Sequence, residues 1–381
     1  MKAPAQRVMI IAGEASADQY GARVVRALRE RAPDAQIFGI GGDLMAAEGV
    51  ELLFHISQTA IMGFVEVAKN IVFLKRMLAE CTAALRNRTP DIVLLIDYPG
   101  FNLRFAARAR RAGVRVLYYI SPQLWAWGKN RGTKMRKLVD QLAVVFPFEV
   151  QLYQRMNIPV SFVGHPLLEI LEKHDREETL RKFDLPSDRP LLGLFPGSRK
   201  QEVDRLLPPM LEAAVSIRES SNCLPVIGAA RLSDDVYRRH LSVHEDVPLL
   251  RNATHALMQH SRAAIVASGT ATLETALYET PMLIVYKTSY LNYAIGKRLI
   301  TIHDIGMVNI LAGRRIVPEL LQNEVTPENI AASILPLLAD GEQRENTLRA
   351  LRTVRHSLGS PGASERVAAM LLEMIDGNTA S

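Results

Sequence analysis

The chain has 381 residues, 48% of them hydrophobic and 23% charged, which is too long for one hydrophobic core and suits two domains of roughly 150 residues each. Its two cysteines, Cys81 and Cys223, stand far apart without CxxC or Cys/His spacing, which argues against a disulfide framework or a zinc site and fits a reducing cytosol. The formal net charge of +6 is unevenly placed: between Arg104 and Lys137 there are ten Lys or Arg and no Asp or Glu, a segment that reads either as solvated helix faces or as attraction to phosphate.

At the N-terminus the apolar run VMIIA before Gly13 and Glu14 is too brief for a signal-peptide core. The longest uninterrupted apolar stretches, such as IVLLI at 92–96, fall far short of the ~20 residues that span a bilayer, so neither export nor a membrane crossing is expected. Short apolar runs then alternate with amphipathic helical stretches: VMIIAG, QIFGIGG, IVLLID, VRVLYYIS and LAVVFPF, followed by PLLGLFPG, LPVIGAA, AAIVASG and PMLIVYK. Fully apolar strands spaced by helices predict parallel sheets covered on both faces, a doubly wound α/β architecture occurring twice. The charged stretch 169–189, which contains Pro186 and is followed by Pro190, suits a linker. These patterns predict a first Rossmann-like domain over 1–170, a second over 171–355, and a helical tail over 356–381 that can pack back on the first. Two such halves facing a cleft describe both GT-B glycosyltransferases and sugar-nucleotide epimerases.

In chain order, AGEASAD (12–18) ends the first strand and opens a helix but lacks GxGxxG. Its Glu14 and Asp18 would repel phosphate, so this loop, with Ser16, is better suited to the hydroxyls of an acceptor sugar. The stretch 64–78 reads as an amphipathic helix carrying Phe64, Val67, Ile71 and Leu74 on one stripe, with Val72 and Phe73 widening it. Most such helices face a core, yet apolar area beside basic residues also suits anionic lipid. Asp97 closes the strand IVLLI ahead of YPGFN. An Asp there is often a cap or turn former, and its place at a strand's carboxyl end makes it the first candidate for general base. Trp125 and Trp127 lie in a loop after a strand, where they either plug the surface or stack on a sugar. His165 reads as a hinge or core histidine.

In the second half, FPGSRK places Ser198 and Arg199 at a helix start, where free backbone N–H groups bind anions and a guanidinium can grip a diphosphate. A second such start, Ser268, Gly269, Thr270, Ala271 and Thr272, brings Glu274 into the first turn, placed to accept from a ribose diol. Capping is the plain alternative for either alone, but two anion-ready starts after buried strands favour a nucleotide diphosphate site.

In order, GEASAD, GIGGDLMAAEG, MGFVEV, IDYPGFN, YYISPQLWAW, PFEVQLYQ, FVGHPL, FPGSRKQEV, ASGTATLE and NILAGRRIVPELLQ cover nearly the whole chain. In that order and spacing they resemble the lipid-A-disaccharide synthases. The resemblance implies a GT-B inverting transferase that moves a 2,3-diacylglucosamine unit from UDP onto the 6-hydroxyl of 2,3-diacylglucosamine 1-phosphate. It implies that Asp97 deprotonates that hydroxyl, Arg199 serves the diphosphate, the SGTATLE loop holds UDP, and Asn309, Glu319 and Gln322 reach the donor sugar. Asn102 and Trp125 join Glu14, Ser16 and Asp18 on the acceptor side. The apolar region after MGF is implied to touch the cytoplasmic face of an anionic inner membrane. No cofactor, metal or nucleic acid is expected, and the chain is expected to be a monomer or homodimer. Three positions depart from the family pattern: Ala17 replaces a usual glycine and is expected to stiffen the acceptor loop, Gly100 stands where some members carry Asp, and Val308 replaces a usual proline and is expected to loosen the turn before Asn309. The rivals are another GT-B UDP-sugar enzyme, a 2-epimerase or a peptidoglycan-type transferase, and a non-catalytic lipid-binding protein on the same scaffold.

Overall fold

The computed structural model describes residues 5–58, 71–122, 135–230, 232–242, 244, 246–289 and 304–379. The chain divides into two compact units, one made of residues 1–169 together with 358–381 and the other of 170–357.

Seven parallel strands form the sheet of the first unit: β1 (Arg7–Ala12), β2 (Gln36–Gly41), β3 (Glu51–His55), β4 (Ile92–Ile96), β5 (Arg115–Tyr119), β6 (Gln141–Val144) and β7 (Val160–Phe162), in the order β3-β2-β1-β4-β5-β6-β7. Helices cover both faces, and every residue of β4 is buried. That two-sided burial is why the strand carries no polar alternation. Chain order reverses direction across the sheet between β1 and β4, which pair in parallel with Ile11 opposite Leu95. At such a switch point the loops leaving the two strands diverge to opposite faces and leave a crevice at the carboxyl ends. Glu14 and Asp97 are the acids at those two ends.

The last helix, Ala363–Thr379, belongs to this first unit and packs along the helix Ala15–Arg31. Glu169 fixes the returning segment, its carboxylate accepting from Gly362 N (3.1 Å), Ser364 N (2.9 Å) and Ser364 Oγ (2.7 Å). Arg115 reaches the far end of the helix and donates to the Met374 carbonyl. Part of the basic segment therefore has a structural task, since Arg110 likewise pairs with Asp140.

The second unit repeats the plan with six parallel strands: β8 (Leu191–Phe195), β9 (Leu224–Ala229), β10 (Leu249–Arg251), β11 (Ser261–Ala267), β12 (Met282–Tyr286) and β13 (Glu319–Leu321), in the order β10-β9-β8-β11-β12-β13. Its switch point lies between β8 and β11, where Phe195 pairs with Val266. The loops carrying Ser198 and Ser268 thus leave neighbouring strands at the same level.

The amphipathic segment is helical from Ile71 to Arg88, and its Met77, Leu78, Cys81 and Leu85 are buried. Leu74 and Phe73 also pack on the core, Phe73 edge-on to Phe54 at 6.1 Å. Leu74 is therefore a core contact where a lipid-facing one was expected, because its turn already lies over the sheet. Ile71 and Val72 remain 50% and 75% exposed. Phe64 and Val67 lie outside the described residues, as do Trp125 and Trp127. Among the described residues no helix is long and apolar enough to cross a membrane.

Candidate functional site

In the first unit the carboxyl ends of β1 and β4 meet closely. Gly13 follows β1, and a Cβ added there would lie 2.3 Å from the Tyr98 ring, so only glycine lets the two ends approach. Asp97 and Tyr98 both adopt left-handed backbone conformations, with φ of 46° and 47°. Two adjacent non-glycine residues in this region cost of order 1 kcal/mol or more each, and local hydrogen bonds hold them there. The Asp97 N–H donates to Tyr119 O (3.0 Å), and its carbonyl accepts from Asn102 Nδ2 (2.7 Å) and Tyr118 Oη (2.6 Å). The side chain is thereby left at the mouth of the crevice. Burial first, and then the Glu14 carboxylate, raises the Asp97 carboxyl from 3.8 to about 6, partly offset by a hydrogen bond from the Tyr98 backbone. A carboxylate tuned toward neutrality at a strand's carboxyl end is equipped to take a proton from a hydroxyl.

The other acceptor-side residues divide. Glu14 and Ser16 are partly exposed at the start of the helix Ala15–Arg31. Asp18 is buried, and its carboxylate accepts from Gly42 N (2.6 Å), Leu44 N (3.2 Å) and Met45 N (3.1 Å). It caps the short helix Asp43–Ala47, which corrects the expectation that it meets an acceptor. Asn102 is fully buried and donates to Ile96 O and Asp97 O, so it positions the Asp97 turn instead of touching a sugar. Ala17 lies within the helix and is buried, so no left-handed backbone is asked of it and the expected stiffening of a loop does not arise. His165 is buried and its imidazole is pushed down to about 3 by burial; neutral, its Nδ1 accepts from Leu167 N (3.2 Å).

In the second unit a cavity of about 370 Å³ opens at the ends of β8, β9 and β11, lined by Ser198, Arg199, Ser268, Gly269, Thr270, Ala271 and Glu274 over a floor that includes Phe195. That volume is in the range of small-ligand sites. Two helices begin here, Lys200–Ser221 and Thr270–Leu277, each presenting N–H groups without intrahelical partners. The first start is answered internally by Glu202. Its Oε2 accepts from Ser198 N (3.0 Å) and Arg199 N (3.2 Å), while Oε1 accepts from Arg199 Nη1 (2.9 Å). Gly197, at φ 113°, permits this, since a Cβ would stand 2.5 Å from Glu202 Oε2. Sequence reasoning passed over Glu202, although its place three residues after Arg199 is the capping-box spacing.

Other expected donor-side residues fall outside this cavity. Thr272 is buried and its hydroxyl donates to Gly269 O (2.8 Å), so it shapes the loop without lining the cavity. Asn309 and Glu319 are buried together. Asn309 Nδ2 donates to Glu319 Oε1 (2.7 Å) and Val317 O (3.0 Å), and its Oδ1 accepts from Ile316 N and Val317 N. Glu319 also accepts from Ile305 N and Gly306 N. With their polar atoms engaged within the unit, both residues hold the chain around β13, which corrects the expectation of direct sugar contact. Val308 is fully buried in the helix Met307–Ala312, so the turn before Asn309 is packed and not loosened. Gln322 follows β13 with φ 53°, its Oε1 accepting from Thr288 N (3.3 Å) while its buried Nε2 has no partner among the described residues. No cluster of three or more His, Cys, Asp or Glu able to hold a metal occurs among the described residues.

Known proteins share this fold. Solved structures of similar fold include a UDP-GlcNAc 2-epimerase from Neisseria meningitidis bound to UDP-GlcNAc, with TM-score 0.64, 13% identity and coverage of 97% of this chain and 100% of that one. The calicheamicin glycosyltransferase CalG4 gives TM-score 0.61 at 16% identity over 98% and 99%. At such identities they show the fold alone: the two-sheet GT-B arrangement. Full-length relatives are nearer in sequence. The lipid-A-disaccharide synthase of Geobacter metallireducens is 45% identical over 379 residues, 98% of each chain, and that of Nitrosococcus oceani is 40% identical over 99% and 98%. The family model for lipid-A-disaccharide synthetase matches residues 8–372. With the site loops lying inside that match, the chain belongs to the lipid-A-disaccharide synthase family of glycosyltransferases.

Proposed function

We propose that this enzyme condenses UDP-2,3-diacylglucosamine with 2,3-diacylglucosamine 1-phosphate, releasing UDP and the disaccharide 1-phosphate, with inversion at the anomeric carbon. The observation that carries the donor half is the shared cavity of the β8 and β11 loops, with its two helix starts, Arg199 and Glu274. Asp97 takes the proton of the acceptor's 6-hydroxyl. The freed oxygen pair forms the new bond to the anomeric carbon as the bond to the UDP oxygen breaks, and that electron pair leaves on the diphosphate. Arg199 and the N–H groups of Gly269, Thr270 and Ala271 meet the growing charge, the preorganised stabilisation that usually contributes most. Glu274 accepts from the ribose diol, Gln322 lies toward the donor sugar, and Glu14 and Ser16 border the acceptor's place.

The enzyme works at the cytoplasmic face of the inner membrane. The exposed pair Ile71 and Val72, at the start of a helix bearing Lys75 and Arg76, supports lipid contact. Incubating radiolabelled UDP-diacylglucosamine with the acceptor tests the whole reading. Disaccharide with stoichiometric UDP is expected. Conversion of the UDP-sugar without acceptor would point to an epimerase, and tight lipid binding without turnover to a non-catalytic module.

A further inference from the structure

The proposed mechanism leaves one basic group beside the donor cavity without a task. His255 lies in the first turn of the helix Thr254–His260, next to Thr254, which lines the cavity. Its Nε2 stands 3.8 Å from Glu274 Oε1, an ion-pair separation, with the two side chains 32% and 20% exposed. The Tyr278 ring lies beside the imidazole, the centroids 6.1 Å apart at 52°, while Tyr278 Oη donates to Glu172 O (2.9 Å).

We infer that His255 is a positioning residue for donor binding: in its protonated form it holds the Glu274 carboxylate toward the cavity and adds a positive charge beside the diphosphate's place. The inference deepens the proposed donor site and rests on Glu274 touching the nucleotide.

The groups that face His255 are Glu274 and Tyr278 from the helix Thr270–Leu277 and the residue after it, and Glu172 from the chain before the helix Arg176–Lys182. The strands against which its own helix packs are β8, β9 and β11. The first two carry no titratable residue, and Arg262 of β11 is turned to Leu338 O and Asp340. Arg176 is turned to His260 O (3.2 Å). The immediate neighbours are therefore acids and a phenol, and they favour the imidazolium. Accordingly the His255 proton is held above its ordinary value, first by Glu274 and partly offset by burial.

The sign follows. Below the raised His255 value the imidazolium is present and an anionic donor binds well. As pH rises through that value the charge is lost and the donor KM climbs, while kcat is governed by Asp97 and Arg199. For a partly exposed pair the expected change is about two- to fivefold in KM.

The test measures KM and kcat for UDP-diacylglucosamine between about pH 5.5 and 8.5, a range in which the diester diphosphate of the donor does not titrate. It compares the full-length enzyme with His255→Gln, His255→Lys and Glu274→Gln, each checked for an unchanged melting temperature. The wild-type KM should rise with pH. His255→Gln should show the high KM at every pH, and His255→Lys the low KM at every pH, a rescue by charge that a packing role would not give. The double variant with Glu274→Gln should show a smaller His255 effect than the single variant does. If Glu274→Gln leaves the donor KM unaltered, the nucleotide-site reading itself fails. If Glu274→Gln raises KM while His255→Gln keeps the wild-type pH profile, the site stands and the role of His255 is overturned.

Discussion

Replacing Asp97 by asparagine is expected to slow turnover sharply and stabilise the protein, and the size of the second effect follows from the site. In the unfolded chain the carboxyl titrates near 3.8 and in the fold near 6. A difference of about two pK units, at 1.36 kcal/mol each, makes the ionised form cost at most about 3 kcal/mol of folding free energy. Stability is therefore undiminished below the unfolded value, falls as pH rises from 3.8 to about 6, and stays lowered above it. Asparagine cannot ionise, is close to isosteric with the protonated acid, and tolerates the left-handed backbone of this position. Urea unfolding of both proteins should give nearly equal stability near pH 4, with the variant gaining up to about 3 kcal/mol by about pH 8, which for a unit of this size is about 2–4 °C in Tm per kcal/mol. Turnover should fall by about 10²–10⁴-fold. An Asp97→Asn enzyme that keeps near-normal turnover with UDP affinity intact removes Asp97 from the role of base. One whose stability tracks the wild type at every pH shows that the carboxylate carries no burial penalty.

Glu14→Gln removes the second cause of that raised value, so the acid limb of kcat/KM should move to lower pH, whatever change in plateau follows from the loss of a group at the acceptor's border. A limb that does not move means the limb is not set by Asp97. Arg199→Ala is expected to lower kcat by about 10²–10³-fold, and Arg199→Lys should recover little of it, because an ammonium cannot reproduce the guanidinium fork; single-turnover assays with saturating donor read this directly. Asp18→Ala should destabilise the first unit by about 1–3 kcal/mol through the buried N–H groups left unpaired, yet leave acceptor KM unchanged in folded protein, and a selective rise in acceptor KM would restore Asp18 to the binding site. Ile71→Ser with Val72→Ser, both at exposed positions, should lower binding to anionic vesicles by about tenfold or more without lowering Tm, and unchanged flotation would exclude this helix start from the membrane contact.

Much of the fold is legible in the sequence. Uninterrupted apolar strands such as β4 can only sit in a sheet covered on both faces, so two parallel sheets followed from hydrophobicity alone. Helix starts after β8 and β11 followed from Pro-Gly and Ser-Gly turns, because those residues relieve the backbone where a strand must reverse into a helix. Asp97 could be placed at the sheet's carboxyl edge because a polar residue directly after a buried strand lies there wherever the sheet goes.

What sequence could not supply was which polar atoms are already engaged. Asp18, Asn102, Thr272, Asn309 and Glu319 carry the same side-chain chemistry as ligand-binding residues, and only tertiary structure shows each of them hydrogen-bonded within its own unit. In the same way it took long-range packing to bring Glu14 against Asp97 across 83 residues (97 − 14). Hydrogen bonding and electrostatics act through distances in space, and local sequence patterns report only distances along the chain.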